Sequence, residues 1–289
     1  MNRRTNVAVA VVSILAIVGA VFTIQHRRTT AKIEGNEQQK IKYAEGIKVI
    51  EAAFPGFFQQ ESGRQCASIE NALNVTKPPQ KTIQAAIEIA SNSACTPLVR
   101  NQAAIYIGTL ENVPEWRGKL LEMIKNDDED ALWRDYAVQH FSDEIGKATG
   151  DKSLMKELQG IYQNIPVLSA TALMQMDRLE RERSVDFGLG YIDGAVESVL
   201  QLKEPEERLI VTALAIVPLR NLRTAIPSVR VWVVSKNLAV RCTAIATLGE
   251  LRSSADLDLL RELTKDPEPR VRDVAQASLN VVSSNRKVN

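Results

Sequence analysis

The sequence predicts an all-α protein: a right-handed α-solenoid of stacked helical hairpins, preceded by one transmembrane helix. Three observations carry that expectation. First, an apolar residue followed by Arg, with Ala three residues later, occurs four times: Val99-Arg100-Ala103, Trp133-Arg134-Ala137, Val240-Arg241-Ala244 and Val271-Arg272-Ala275. The Arg positions are 34, 107 and 31 apart, and 107 is close to three periods, so two degenerate copies belong in the gap. Self-similarity at a period in the thirties marks a stacked helical array. Second, apolar positions recur at helical spacing between Pro, Gly, Asn and Asp punctuation along most of the chain. Third, aromatics make up only 5% of 289 residues, so the core must come from Leu, Ile, Val and Ala. That composition suits close helix packing better than a β-sandwich.

Residues 1–6 form a basic tail with Arg3 and Arg4. Residues 7–24 are an unbroken uncharged run, with Ser13 and Thr23 its only hydroxyls. At about 1.5 Å per residue this run spans roughly 27 Å, close to the hydrocarbon thickness of a bilayer. A cleaved secretory signal is the rival reading, with Val18-Gly19-Ala20 as the cutting site, and it would yield a secreted soluble binding protein. Hydrophobicity resumes through Val21-Phe22-Thr23-Ile24, which favours a retained single-pass anchor in the cell membrane. Positive charge flanks both ends of the run, so the charge rule leans only weakly toward a cytoplasmic body. The basic start followed by an apolar run resembles a signal-anchor, and the expectation adopted is an extracytoplasmic repeat domain.

Residues 25–39 read as a polar juxtamembrane linker and 40–96 as an N-terminal helical cap. Within the cap, Lys40 to Ala53 and Lys81 to Ala90 are helical by periodicity, and Pro78-Pro79 is a firm stop. The cluster Phe54-Pro55-Gly56-Phe57-Phe58 is expected to close the end of a core, with a dip into the bilayer interface as the alternative. Residues 97–284 form the repeat domain and 285–289 a tail. Its helices are expected at Leu98–Leu110, Glu115–Asn126, Ala131–Lys147, Lys152–Gln163, Val167–Arg183, Ile192–Leu202, Glu206–Val217, Thr224–Val234, Leu238–Leu251, Leu257–Thr264 and Pro269–Val282. Only Val229 to Val234 has a spacing that a strand would share, and its place between helices favours helix. The degenerate copies fall at Arg208 and near position 171.

Net charge is +1, and removing the four arginines of the first 28 residues leaves a body of −3, which argues against nucleic-acid binding. The charge is segregated: residues 111–158 hold 7 basic and 12 acidic side chains, residues 220–289 hold 12 basic and 7 acidic. In a one-dimensional stack such segments occupy different places and can orient a charged partner. The bland alternative is a solvated surface. Of three cysteines, Cys66 and Cys95 are candidates for a disulfide, while Cys242 reads as a buried thiol.

The stretch Leu238-Ala239-Val240-Arg241-Cys242-Thr243-Ala244-Ile245-Ala246-Thr247-Leu248-Gly249-Glu250-Leu251 resembles HEAT repeats, in particular the variety found in phycobilisome lyase-type repeats. Asp266 to Ala275 and Asn101 to Leu110 repeat the theme. The resemblance implies a structural ladder in which a turn Asp pairs with the Arg six residues on. Asp128 with Arg134 and Asp266 with Arg272 fit that spacing; Arg100 and Arg241 have Ala94 and Ser235 in the Asp slot. One enzyme group with such repeats, the deoxyhypusine hydroxylases, holds a di-iron centre with His-Glu pairs. Here His26 is followed by Arg27 and His140 by Phe141, which does not support that activity. A metal site needs several converging ligands and neither His has another His within a helical turn, so no metal or cofactor is expected. The Gly188-Leu189-Gly190 segment follows a charged run instead of a strand and reads as a loop, not a dinucleotide site. Asn74-Val75-Thr76 is a glycosylation triplet, meaningful only in an exported eukaryotic chain. The expected function is therefore binding: a membrane-tethered scaffold for a protein partner, held by residues 7–24, with no catalysis of its own. A chromophore-lyase-like or other enzyme-assisting role is the alternative from another class.

Overall fold

The computed structural model describes residues 37–111, 113–148 and 150–284. The expected membrane run at 7–24, the tails 1–6 and 285–289, and His26 lie outside the described residues. Among the described residues no helix is long and apolar enough to cross a membrane.

The described chain is helical throughout, with no strand. Fourteen α-helices follow in order: α1 Glu37–Ala53, α2 Ser62–Leu73, α3 Gln80–Ser91, α4 Pro97–Thr109, α5 Pro114–Lys125, α6 Ala131–Lys147, α7 Lys152–Asn164, α8 Pro166–Arg183, α9 Tyr191–Leu200, α10 Glu207–Leu219, α11 Ile226–Trp232, α12 Leu238–Glu250, α13 Leu257–Leu263 and α14 Pro269–Ser284. Proline opens α4, α5, α8 and α14, where a missing N–H costs nothing. Side-chain caps hold other starts: Asp130 accepts from the Trp133 N–H at 3.0 Å, and Asn237 from Ala239 and Val240 at 2.9 and 3.2 Å.

Helix α1 packs on α3. From α3 onward the odd-numbered helices pair with the even ones that follow, and the even ones form a continuous layer. Thus α4 packs on α2, α6 on α4, α8 on α6, α10 on α8, α12 on α10 and α14 on α12. This is a helical-hairpin stack, the arrangement of an α-solenoid. The Ala of the repeated motif explains the close approach: Ala103, Ala137, Ala244 and Ala275 are fully buried, with Val99, Trp133, Val240 and Val271 beside them in the core.

The stretch Ser62–Leu73, outside the expected helices, is α2, which buries Gln65, Ile69 and Leu73 at spacing four. Helix α3 of the expected cap packs along α4 of the expected repeat domain. One expected helix needs correction. Thr224–Val234 is a short 3-10 turn, Arg223–Ala225, running into the seven-residue α11. The phenylalanine cluster closes the core, with Phe54 and Phe57 buried and Phe58 packed against them.

The C-terminal hairpins lock together through backbone acceptors. Pro218 lies inside α10 and cannot donate to the carbonyl four residues back, Leu214. The buried Thr247 of α12 supplies the missing donor, Oγ1 to Leu214 O at 2.9 Å. Thirty-one residues on (278 − 247), Ser278 of α14 does the equivalent for Ile245 at 3.2 Å. Gly249 permits this contact, since a Cβ there would lie 2.5 Å from Ser278 Cβ and 2.8 Å from its Cα.

Candidate binding face on the second-helix layer

The repeated arginines hold hairpins together. Arg100, 3% exposed, donates Nε to Ala90 O at 3.0 Å, so it caps the C-terminal end of α3 from the first turn of α4. Its two terminal nitrogens form a bidentate pair with Glu129 at 3.0 and 2.8 Å, and its guanidinium lies 4.5 Å from the Trp133 ring centre. Arg134 repeats the cap one hairpin on, Nε to Ile124 O at 3.0 Å.

The ladder therefore differs from the spacing expected. Arg134 pairs with Asp127 at 2.9 Å, whereas the Asp128 N–H is turned back onto Asn126 Oδ1. The Asp266 carboxylate pairs with Arg241 of the preceding hairpin, and Arg272 donates instead to the main-chain oxygens of Asp266 and Pro267. In both Arg100–Glu129 and Arg241–Asp266 the Arg reaches forward to the next turn. The six-residue spacing pointed backward because sequence distance hides which hairpin is the neighbour.

Cys66 and Cys95, the candidates for a disulfide, are free thiols in this structure. Both behave as small apolar residues drawn into packing: burial raises the Cys66 thiol and pushes Cys95 up to about 11, with Arg100 opposing the latter. Cys242 is half-buried, its thiol likewise raised by burial.

Further along the second-helix layer sits a partly open cavity of about 490 Å3. Its walls come from α4 (Ile105, Gly108), α6 (His140, Asp143, Gly146, Lys147) and α8 (Arg178, Glu182, Arg183), with Trp116 of α5 behind. Two buried donors on this wall have no acceptor, Trp116 Nε1 and Arg178 Nε. Arg178 is otherwise fixed, its Nη2 donating to Ser142 Oγ at 2.9 Å and Asp143 Oδ1 at 2.5 Å. His140 Nε2 meets Asn101 Oδ1 at 3.0 Å, with the ring between Trp116 and Trp133. Burial lowers the His140 pKa, opposed by Asp143 and Glu144, so the ring favours its neutral form.

Behind the cavity a buried ionic network ties α6, α8, α9 and α10 together. Asp135 accepts from Thr171 Oγ1 and Arg208 Nη1, each at 2.6 Å. The fully buried Asp177 takes Arg181 at 2.7 Å and Arg220 at 3.2 Å, and Arg220 also reaches Glu180 and Asp193. Burial works against the Arg220 charge, but its hydrogen bonds to Glu180, Asp193 and Asp177 outweigh it and hold the guanidinium charged. Among the described residues no group of His, Cys and carboxylates is placed to hold a metal ion. Sequence reasoning singled out the Arg ladder and His140. It missed the cavity and the Asp177 network, whose members lie on separate helices.

A family model described as HEAT repeats matches residues 196–280, from α9 to α14. No curated protein matches the chain. Among solved structures, human deoxyhypusine hydroxylase in complex with glycerol is similar over 86% of this chain and 100% of its own, at 14% identity and a TM-score of 0.36.

Proposed function

We propose that this chain is a HEAT-like scaffold, a right-handed stack tethered to the membrane by residues 7–24, that binds a protein partner on its second-helix layer and performs no chemistry itself. The observation that carries the reading is the cavity between α4, α6 and α8. Concave sites with an apolar lining and a few convergent polar groups are the usual place for a ligand. Here exposed Ile105 and the side-chain-free Gly108 stand opposite the donors of Arg178 and Trp116. Helical stacks offer such surfaces because each hairpin contributes the same face in turn. The tether rests on the length and apolarity of the 7–24 run, and the extracytoplasmic placement on its signal-anchor form.

A photoreactive amino acid placed at Ile105 or at Val231 tests the reading in membranes. Both side chains are exposed, at 45% and 65%, but Val231 lies on the first-helix layer in α11. One protein captured from Ile105 and not from Val231 supports the reading. Equal capture from both positions, or none from Ile105, contradicts it.

A further inference from the structure

We infer that the α4–α6–α8 cavity is a carboxylate pocket, taking the acidic side chain of an extended segment of the partner. This deepens the scaffold reading above and rests on it. The argument starts from what the cavity lacks. Its two orphan polar atoms, Trp116 Nε1 and Arg178 Nε, are both donors. A buried donor without a partner costs roughly 1–3 kcal/mol, and folded proteins rarely leave one so. Other orphan atoms lie on Arg134, Arg241 and Asp256, but these two alone belong to residues of one cavity wall, and a ligand that satisfied them would bring acceptors. An ionised carboxylate has two oxygens and about four lone-pair sites and no proton to give.

Charge does not oppose an anion. The wall carries Lys147, Arg178 and Arg183 against Asp143, Glu182 and the Glu144 paired to Lys147, with His140 neutral. Arg178 is already oriented for the task, because Ser142 and Asp143 engage Nη2 and leave Nε free. Trp116 is 1% exposed, so its N–H sits where the dielectric is low and an anionic acceptor is worth more than in water. Room exists for a side chain: a Cβ on Gly108 would meet nothing within 4 Å, and one on Gly146 only Leu179 at 3.4 Å. Ile105, exposed at 45%, offers an apolar shelf for the neighbouring residue of the segment.

The three tryptophans give three indole N–H resonances in the 15N-labelled full chain, assigned by single Trp→Phe changes. The probe is N-acetyl-glutamate amide, with N-acetyl-glutamine amide and sodium acetate as comparisons. The inference expects the Trp116 resonance to move saturably with the glutamate probe while Trp232 stays in place. The glutamine probe should bind at least about tenfold more weakly, since a neutral amide replaces a charge-assisted bond. Arg178→Lys keeps the charge and loses Nε–H, and it should weaken the glutamate probe by a similar factor with the Trp232 resonance unchanged. A still Trp116 resonance, equal effects of the two amides, or acetate binding as tightly as the glutamate probe would overturn the inference. Partner capture at Ile105 that survives Arg178→Lys, with no resonance movement, leaves the scaffold and ends the pocket. Resonance movement without any capture leaves the pocket and ends the scaffold.

Discussion

The C-terminal and N-terminal halves of the stack solve the same packing problem in different ways. From α10 onward the elements recur at a fixed interval: 3-10 turns begin at Arg223 and Ser254, and short helices at Ile226 and Leu257, each 31 residues apart. Left-handed residues close the preceding helices at the same interval, Asn221 and Arg252. Here second helices meet closely at Gly249 against Ser278, and the Thr247 and Ser278 hydroxyls donate to backbone carbonyls of the preceding second helix. In the other half, α6 and α8 run to 17 and 18 residues and meet through Thr171 on Asp135, Gln175 on Ser142 and Arg178 on Asp143. The cavity opens beside these polar contacts, among α4, α6 and α8. The regular half repeats one interval; the irregular half opens a cavity.

The substitutions that discriminate the halves run from large effects to small. Replacing the fully buried Asp177 with Ala strands Arg181 and weakens the hold on Arg220. Removing one partner of a buried pair should cost about 3 kcal/mol, read as a lower urea midpoint. An Ala at Gly249 should cost about 2 kcal/mol, because its Cβ would overlap Ser278 and force α12 from α14. The same change at Gly108 has open space and should raise stability by up to roughly 0.5 kcal/mol. Two glycines behaving alike would erase the distinction between the halves. Thr247→Val removes the donor that serves Leu214 O and should cost about 1 kcal/mol.

Acid should act on the N-terminal half through His140. Its folded pKa is lowered by burial, so on acidification the unfolded chain takes the proton first. Stability from this group is intact above the ordinary value of about 6.5 and is lost as pH falls from there through the folded value. Between about pH 7.5 and about 5.5, thermal midpoints of the wild type should therefore fall further than those of His140→Gln. The smallest effect concerns Cys95: a thiol held near 11 should react slowly with iodoacetamide at about pH 8 in the folded chain and quickly once unfolded.

Much of the fold was legible because its punctuation is chemical. Pro97, Pro114, Pro166 and Pro269 open helices where expected, and the buried Ala after each motif Arg marks the inter-helix contact. Helix α2 escaped because its core contacts are one Gln, one Ile and one Leu in an otherwise polar stretch, too sparse for a periodic signal. The ladder was misassigned by one residue at Asp128 and by one hairpin at Asp266, since a turn decides which neighbouring acid faces the Arg. Nothing in the sequence announced the cavity. Ile105, His140 and Arg178 are 35 and 38 positions apart, and only the stacking of α4, α6 and α8 brings them to one wall.

The most direct test of the account is partner capture from membranes by the full chain carrying Gly108→Met, with the thermal midpoint measured on the same protein. A Cβ there meets nothing within 4 Å, so a long side chain can extend into the cavity. The account predicts a midpoint no lower than the wild type's and capture reduced at least about tenfold, the loss expected when the central pocket of an interface is blocked. Capture at the wild-type level by an intact fold would contradict it.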